Sequence, residues 1–292
     1  MGADGEKRRT VLHKRVYPAL LRRLCGAGKQ LNPDTERFKK RLQFTVMLSG
    51  EYLGRRHKGA LPTVADSHIS RSSRAYGLTA SNVTLNKSGM KGAGSIQITL
   101  AWGLAVMVPA FIFGAASGAH FNPALTLALA AEGSLAWSLV PGYIVAQFAG
   151  AIVGAVIVYL MFKDQFDATE DPGTKLGVFS TGPSIPNIPR NIFCEAVATF
   201  VLVFAIKGVP GAAPAGVGNL LVFGIIVSIG MSLGGLTGYA LNPARDIGPR
   251  IAHAFLPIKG KGSSNWGYAI VPIAGPIIGA LAAVALYNVI PW

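Results

Sequence analysis

Five long apolar stretches constrain this chain more than any other feature: residues 96–114, 136–162, 191–208, 218–234 and 266–289. They run 17 to 27 residues, and a helix needs about 20 to cross a hydrocarbon core about 30 Å thick. Residues 96–114, 136–162 and 218–234 carry no charge at all. A buried helix of a soluble protein shows a polar face over that length, so these segments read as membrane spans. Inside a bilayer every backbone polar group must be satisfied within the segment. The expected fold class is therefore all-α and transmembrane. The link at 163–190 is polar, with Lys163, Asp164, Asp167, Glu170 and Asp171.

Two shorter apolar pieces, 122–131 and 242–255, each begin with Asn-Pro. An Asn cap followed by Pro at the first helical position is a strong helix start. Neither piece is long enough to span. A short helix with a non-helical approach must be shielded by protein or line a wet cavity. The two pieces repeat: Ser117–Thr126 reads SGAHFNPALT and Thr237–Asp246 reads TGYALNPARD, 120 residues apart. Gly118 and Gly238, Asn122 and Asn242, Pro123 and Pro243, Ala124 and Ala244 hold identical offsets. Repeated half-helices among spans are a mark of inverted-repeat transport proteins.

The repeat exposes a gap. The second half runs span, span, half-helix, span, while the first lacks the span expected at about 50–82 on that repeat logic. Arg55, Arg56, His57, Lys58, Asp66, His68, Arg71 and Arg74 fall there, with no apolar run beyond two residues. Charges at a span's centre cost roughly 2.5–3.5 kcal/mol each, so this stretch is not expected to cross a membrane.

Charge is unevenly placed. Of the 27 Lys and Arg and 13 Asp and Glu in the 292 residues, 19 and 6 lie in residues 1–91. The front third is net +13, and the rest of the chain only +1. The two cysteines, Cys25 and Cys194, make neither a disulfide framework nor a zinc set. The first 15 residues are polar and no apolar signal core follows, so no cleavable signal peptide is expected. The positive-inside rule puts the basic N-terminus on the cytoplasmic side of a multi-pass cell-membrane protein.

The paired Asn-Pro-Ala boxes, one continuing Arg245-Asp246 and each set between spans, resemble those of the major intrinsic protein (aquaporin) family. Within that family the chain is similar to the bacterial glycerol facilitators, or aquaglyceroporins. The resemblance covers residues 83–292, with a possible fragment at Glu51-Tyr52-Leu53-Gly54. It implies an inverted repeat of three spans plus a half-helix, here with the first span poorly formed or missing. It also implies a homotetramer with one pore per subunit. Three regions follow: a basic extension at 1–50, an aberrant first-span region at 51–82 and a channel domain at 83–292. The stretch 55–80 reads as out-of-frame or wrongly joined coding sequence.

Physically, two half-helix N-termini facing each other place about half a positive charge from each side at mid-membrane. The Asn122 and Asn242 amides add N–H donors there, unless both are helix caps alone. That field opposes cations, and fixed donors break a proton wire. Arg245 follows Asn242 by three residues. Its guanidinium offers a fork of donors suited to solute hydroxyls.

By offset from the boxes, the resemblance assigns a selectivity filter of Trp102, Gly230, Tyr239 and Arg245. Trp102 and Tyr239 would form an aromatic corner for the CH edge of a polyol. Gly230, where water channels typically carry His, would leave the filter wide. The Tyr239 hydroxyl would either narrow it or add a polar contact. Asp246 and Arg250 match the glycerol subgroup, as does Pro272-Ile273. Carbonyl ladders are expected from Gly118, Ala119, His120 and Phe121 and from Gly238, Tyr239 and Ala240. His120 is expected to be a pore-side structural residue, with no second ligand spaced for a metal. Glu195, 47 residues before Asn242, would brace the second loop. Glu51, its first-half counterpart, lies 71 before Asn122.

The expected function is a passive channel for glycerol, other small uncharged solutes and water, excluding protons and ions, with no cofactor, metal or catalysis. A water-selective aquaporin is the alternative within the family. A coupled inverted-repeat transporter should carry ionisable residues well inside its spans, where only Glu195 qualifies, Lys207 standing one residue from the end of 191–208. A non-conducting channel whose basic arm binds anionic lipid or nucleic acid is a further alternative. Lys7-Arg8-Arg9, Arg22-Arg23 and Lys39-Lys40-Arg41 could serve it, but no nucleic-acid motif accompanies them. Such charge runs are more often solvated arms, and no nucleic-acid partner is expected.

Overall fold

The computed structural model describes residues 70–212 and 217–291. Its helices, in chain order, are α1 Ser70–Thr84, α2 Ser95–Ser117, α3 Pro123–Ala131, α4 Val140–Met161, α5 Lys163–Ala168, α6 Pro172–Phe179, α7 Ile188–Ala212, α8 Gly218–Thr237, α9 Pro243–Phe255 and α10 Val271–Val289. Short 3-10 turns, Trp137–Leu139 and Trp266–Tyr268, lead into α4 and α10. Among the described residues, five helical stretches are long and apolar enough to cross a membrane: Ser95–Gly114, Trp137–Met161, Ile188–Ala212, Gly218–Thr237 and Trp266–Val289. These are the five apolar segments read from the sequence, with ends shifted by a few residues. The polar link carries α5 and α6, and Asp171 caps α6 by accepting from the Thr174 N–H at 2.7 Å.

The elements repeat as α1–α2–α3–α4 and α7–α8–α9–α10. In the second set α7 packs on α8 and α10; in the first, α1 packs on α2 and α4. α1 therefore stands where the repeat expects the first span. Its 15 described residues extend about 22 Å. Ala80 and Leu85 bury against Ala155, Val158 and Tyr159 of α4 and against Phe166 and Phe179 of the link. That packing holds a helix whose composition is too polar to signal a span.

Each half-helix lies against the last span of the other half, α3 on α10 and α9 on α4. The tightest crossing is α7 on α10. A Cβ on Gly279 would sit 2.0 Å from the Ala196 carbonyl oxygen, and one on Gly275 would sit 2.5 Å from the Glu195 Cβ. Small residues four apart let two backbones approach closely, as membrane helix pairs require. The outward faces are apolar. Leu100, Leu104, Val108 and Phe111 form an exposed stripe along α2, and Val145, Val153 and Leu160 one along α4. Stripes of that kind suit acyl chains rather than water.

Candidate pore and selectivity filter

α2 and α8 each end on a left-handed glycine, Gly118 (φ 76°) and Gly238 (φ 81°). The next residues keep matching conformations. Ala119 and Phe121 in the first loop, and Tyr239 and Leu241 in the second, all have positive φ, between 38° and 56°. Non-glycine residues hold this region at a cost of order 1 kcal/mol or more each, so the surrounding contacts must impose it. The same positions relative to each Asn adopt it, which extends the repeat from sequence to backbone.

The half-helices then begin alike. Asn122 Oδ1 accepts from the Ala124 N–H at 2.9 Å. Asn242 Oδ1 accepts from the Ala244 and Arg245 N–H groups at 3.0 and 3.2 Å. The amides also cross between the loops. Asn122 Nδ2 donates to the Leu241 carbonyl and Asn242 Nδ2 to the Phe121 carbonyl, both at 2.7 Å. Each residue is thus a cap and a tie at once, beyond the two alternatives the sequence left open. One of the two Nδ2 hydrogens serves the tie, and the other is available to a solute. Part of the Phe121 carbonyl's accepting capacity is used in the same way. Leu241, whose carbonyl is the matching acceptor, carries no motif signal in the sequence.

Both Asn residues line a cavity of about 340 Å3 that also includes Gly118, Ala119, His120, Phe121, Ala240 and Trp102. Gly238, Tyr239, Gly230 and Arg245 are not part of its wall. Arg245 and Tyr239 gather around Trp102. The Arg245 guanidinium carbon lies 4.8 Å from the Trp102 ring centroid. The Tyr239 ring meets Trp102 edge-on, with centroids 6.4 Å apart at 88°. All three side chains are buried. A cation over an indole face beside an edge-on phenol makes a corner with one polar and two apolar walls.

Gly230 makes room, but chiefly for Tyr239. A Cβ there would meet Thr99 Cγ2 at 2.6 Å and the Tyr239 ring at 3.1 Å, and Gly234 abuts the same ring. The space expected to widen the filter instead seats the second aromatic, since a ring lying flat on a helix needs a face without side chains.

Glu195 is buried and accepts from three donors. Its Oε1 takes the Thr237 hydroxyl at 2.6 Å and the Ala240 N–H at 2.8 Å, and its Oε2 takes the Leu241 N–H at 2.9 Å. These bonds hold the loop that ends at Asn242. Glu51 lies outside the described residues. In the first loop, Tyr143 donates to the Ser117 carbonyl at 2.8 Å and stacks on His120. Gln147 donates to the Thr126 hydroxyl at 3.0 Å, which in turn meets His120 Nδ1 at 3.4 Å. Tyr143 and Gln147 sit in a span, where a lone polar residue gives the sequence reader little to go on.

Asp246 and Arg250 face away from the cavity into a closed clamp. Arg250 Nε donates to Asp246 Oδ1 at 2.9 Å, and its other nitrogens reach the carbonyls of Ser264, Asn265 and Thr181. Asp246 Oδ2 accepts the Thr181 N–H and hydroxyl, both at 2.6 Å. This buried pair, with its remaining donors and lone pairs satisfied, ties α9 to the loops on either side of it.

Residues 75–287 match the major intrinsic protein family. The chain is 54% identical over 207 residues to the glycerol uptake facilitator protein of Bacillus subtilis, covering 70% of this chain and 76% of that one. It is 50% identical over 208 residues to the probable glycerol uptake facilitator protein of Thermotoga maritima, covering 71% and 89%. The X-ray structure of the aquaglyceroporin from Plasmodium falciparum superposes with a TM-score of 0.68 at 25% identity, over 78% of this chain and 96% of that one. The family match begins at residue 75, inside α1. With two half-helices tied head to head among five span-length helices, this chain is a multi-pass membrane protein of the major intrinsic protein family.

Proposed function

We propose that the chain is a passive channel that carries glycerol and other small uncharged solutes, with water, across a cell membrane while holding back protons and ions. The observation that carries this reading is the corner of Trp102, Tyr239 and Arg245 beside two half-helix N-termini. The aromatic edges suit the CH side of a polyol and the guanidinium suits its hydroxyls. The spare N–H groups of Asn122 and Asn242 would orient each passing oxygen away from a continuous proton wire, and the paired dipoles would repel cations. The glycerol facilitators among the relatives agree with that chemistry. A homotetramer with one pore per subunit and a cytoplasmic N-terminus complete the proposal. The first rests on the family resemblance, the second on the basic front third of the chain.

The test is reconstitution of the full chain in liposomes, with shrink–swell kinetics for glycerol and water. Rates well above those of empty vesicles, without saturation, are expected. Rates equal to empty vesicles would refute conduction by this chain.

A further inference from the structure

The cavity wall holds one charged residue among those described, Lys207 near the end of α7. Its ammonium lies 2.9 Å from Glu132 Oε1 and 5.3 Å from the centroid of the Tyr287 ring on α10. Glu132 is the residue that ends the first half-helix, and its side chain is only 3% exposed. Its Oε1 also accepts from Ser134 at 2.6 Å, while Oε2 has no hydrogen-bond partner among the described residues.

A carboxylate is misplaced at a helix C-terminus, where the dipole favours cations. Helix stability therefore does not account for Glu132. The second half-helix ends as the dipole asks, with the Lys261 ammonium on the carbonyls of His253, Ala254 and Leu256 at 2.7–2.8 Å. At the first half-helix the cation comes from across the cavity wall instead. α3 shows Leu125 and Leu129 to the cavity, and α7 shows Leu202 and Ile206. Lys207, next to Ile206, belongs to that wall, and Glu132, three residues past Leu129, pairs with it from just outside the wall.

We propose that Glu132 and Lys207 are a positioning pair that fixes the end of the first half-helix against α7 and so sets the width of the cavity there and the size of solute admitted. A buried carboxylate cannot drift from the one cation that pairs with it among the described residues without large cost, so the pair holds its spacing more tightly than apolar contacts would. The proposal rests on the channel reading.

The test uses proteoliposomes of the full chain, comparing wild type, Lys207→Met, the double variant Glu132→Gln/Lys207→Met, and the charge swap Glu132→Lys/Lys207→Glu. Rates for glycerol and for the longer polyol xylitol are normalised to folded protein. The xylitol-to-glycerol ratio is expected to change about fivefold in Lys207→Met and to return toward wild type in the swap. If Lys207→Met fails to fold, the double variant, which leaves no unpaired charge at this site, is expected to show the altered ratio. An unchanged ratio in the variants that fold would overturn the proposal, even if their melting points fall. Wild-type vesicles that conduct nothing would instead remove the channel reading beneath it.

Discussion

The two halves of the molecule build the same pore element with different supports. By the 120-residue offset, Thr126 and Ala130 stand where the second half has Asp246 and Arg250. The second half-helix is clamped by a buried ion pair with four further backbone carbonyl and N–H partners, and its loop hangs from one carboxylate. The first is held by neutral groups, Tyr143, His120, Thr126 and Gln147, and by the Glu132–Lys207 pair at its far end. What the halves share is the backbone path and the crossed Asn ties. A pore centre of this kind is thus specified by loop geometry and caps, while the means of holding it are free to differ.

The sharpest test of that difference is Arg250→Met, which strands the buried Asp246 carboxylate. It should cost about 3–5 kcal/mol, read as a fall in the thermal unfolding midpoint in detergent. Gln147→Leu removes one neutral bond from the first half and should cost about 1 kcal/mol. Equal losses would erase the distinction between ionic and neutral support.

The span crossings offer the next comparison. Gly279 of α10 faces a backbone oxygen, whereas the nearest atom to a Cβ on Gly77 of α1 would be a methyl of the Val158 side chain, at 2.9 Å. Gly279→Ala should cost about 3 kcal/mol or prevent folding, and Gly77→Ala about 1 kcal/mol, because a side chain can move and a helix backbone cannot. A costlier Gly77→Ala would mean that α1 is held as rigidly as α7. A smaller effect is expected from Glu195→Gln, which turns one acceptor of the second loop into a donor. It should cost about 2 kcal/mol and speed amide exchange at Ala240 and Leu241. Unchanged exchange at those two amides would show that the loop is held by something other than Glu195.

Much of this was legible in the sequence. Asn-Pro starts and glycine ends carry their own backbone requirements, so the half-helices and spans fall within a few residues of where the pattern puts them. α1 was not legible, because its polar composition hides a helix that packing on α2 and α4 sustains. Offsets brought Trp102, Tyr239 and Arg245 together, but an offset cannot say where a ring lies. The flat seat of Tyr239 on Gly230 and Gly234 needed coordinates. So did the ties from Asn122 to Leu241 and from Glu132 to Lys207, which join residues far apart in the chain. The stretch 55–80 remains our proposal for out-of-frame or wrongly joined coding sequence, and its last residues, from 75 on, fall within the family match. Translating the other frames of the gene across it should reveal an apolar span; finding none in any frame would discard the idea.

The most direct test of the account is solute discrimination by Arg245→Ala in liposomes. Wild type should carry glycerol, pass larger polyols such as xylitol only slowly, and exclude protons. The variant should keep glycerol flux while admitting a larger polyol or protons. A variant that excludes them as well as wild type does would contradict the placement of the filter at Arg245, Trp102 and Tyr239.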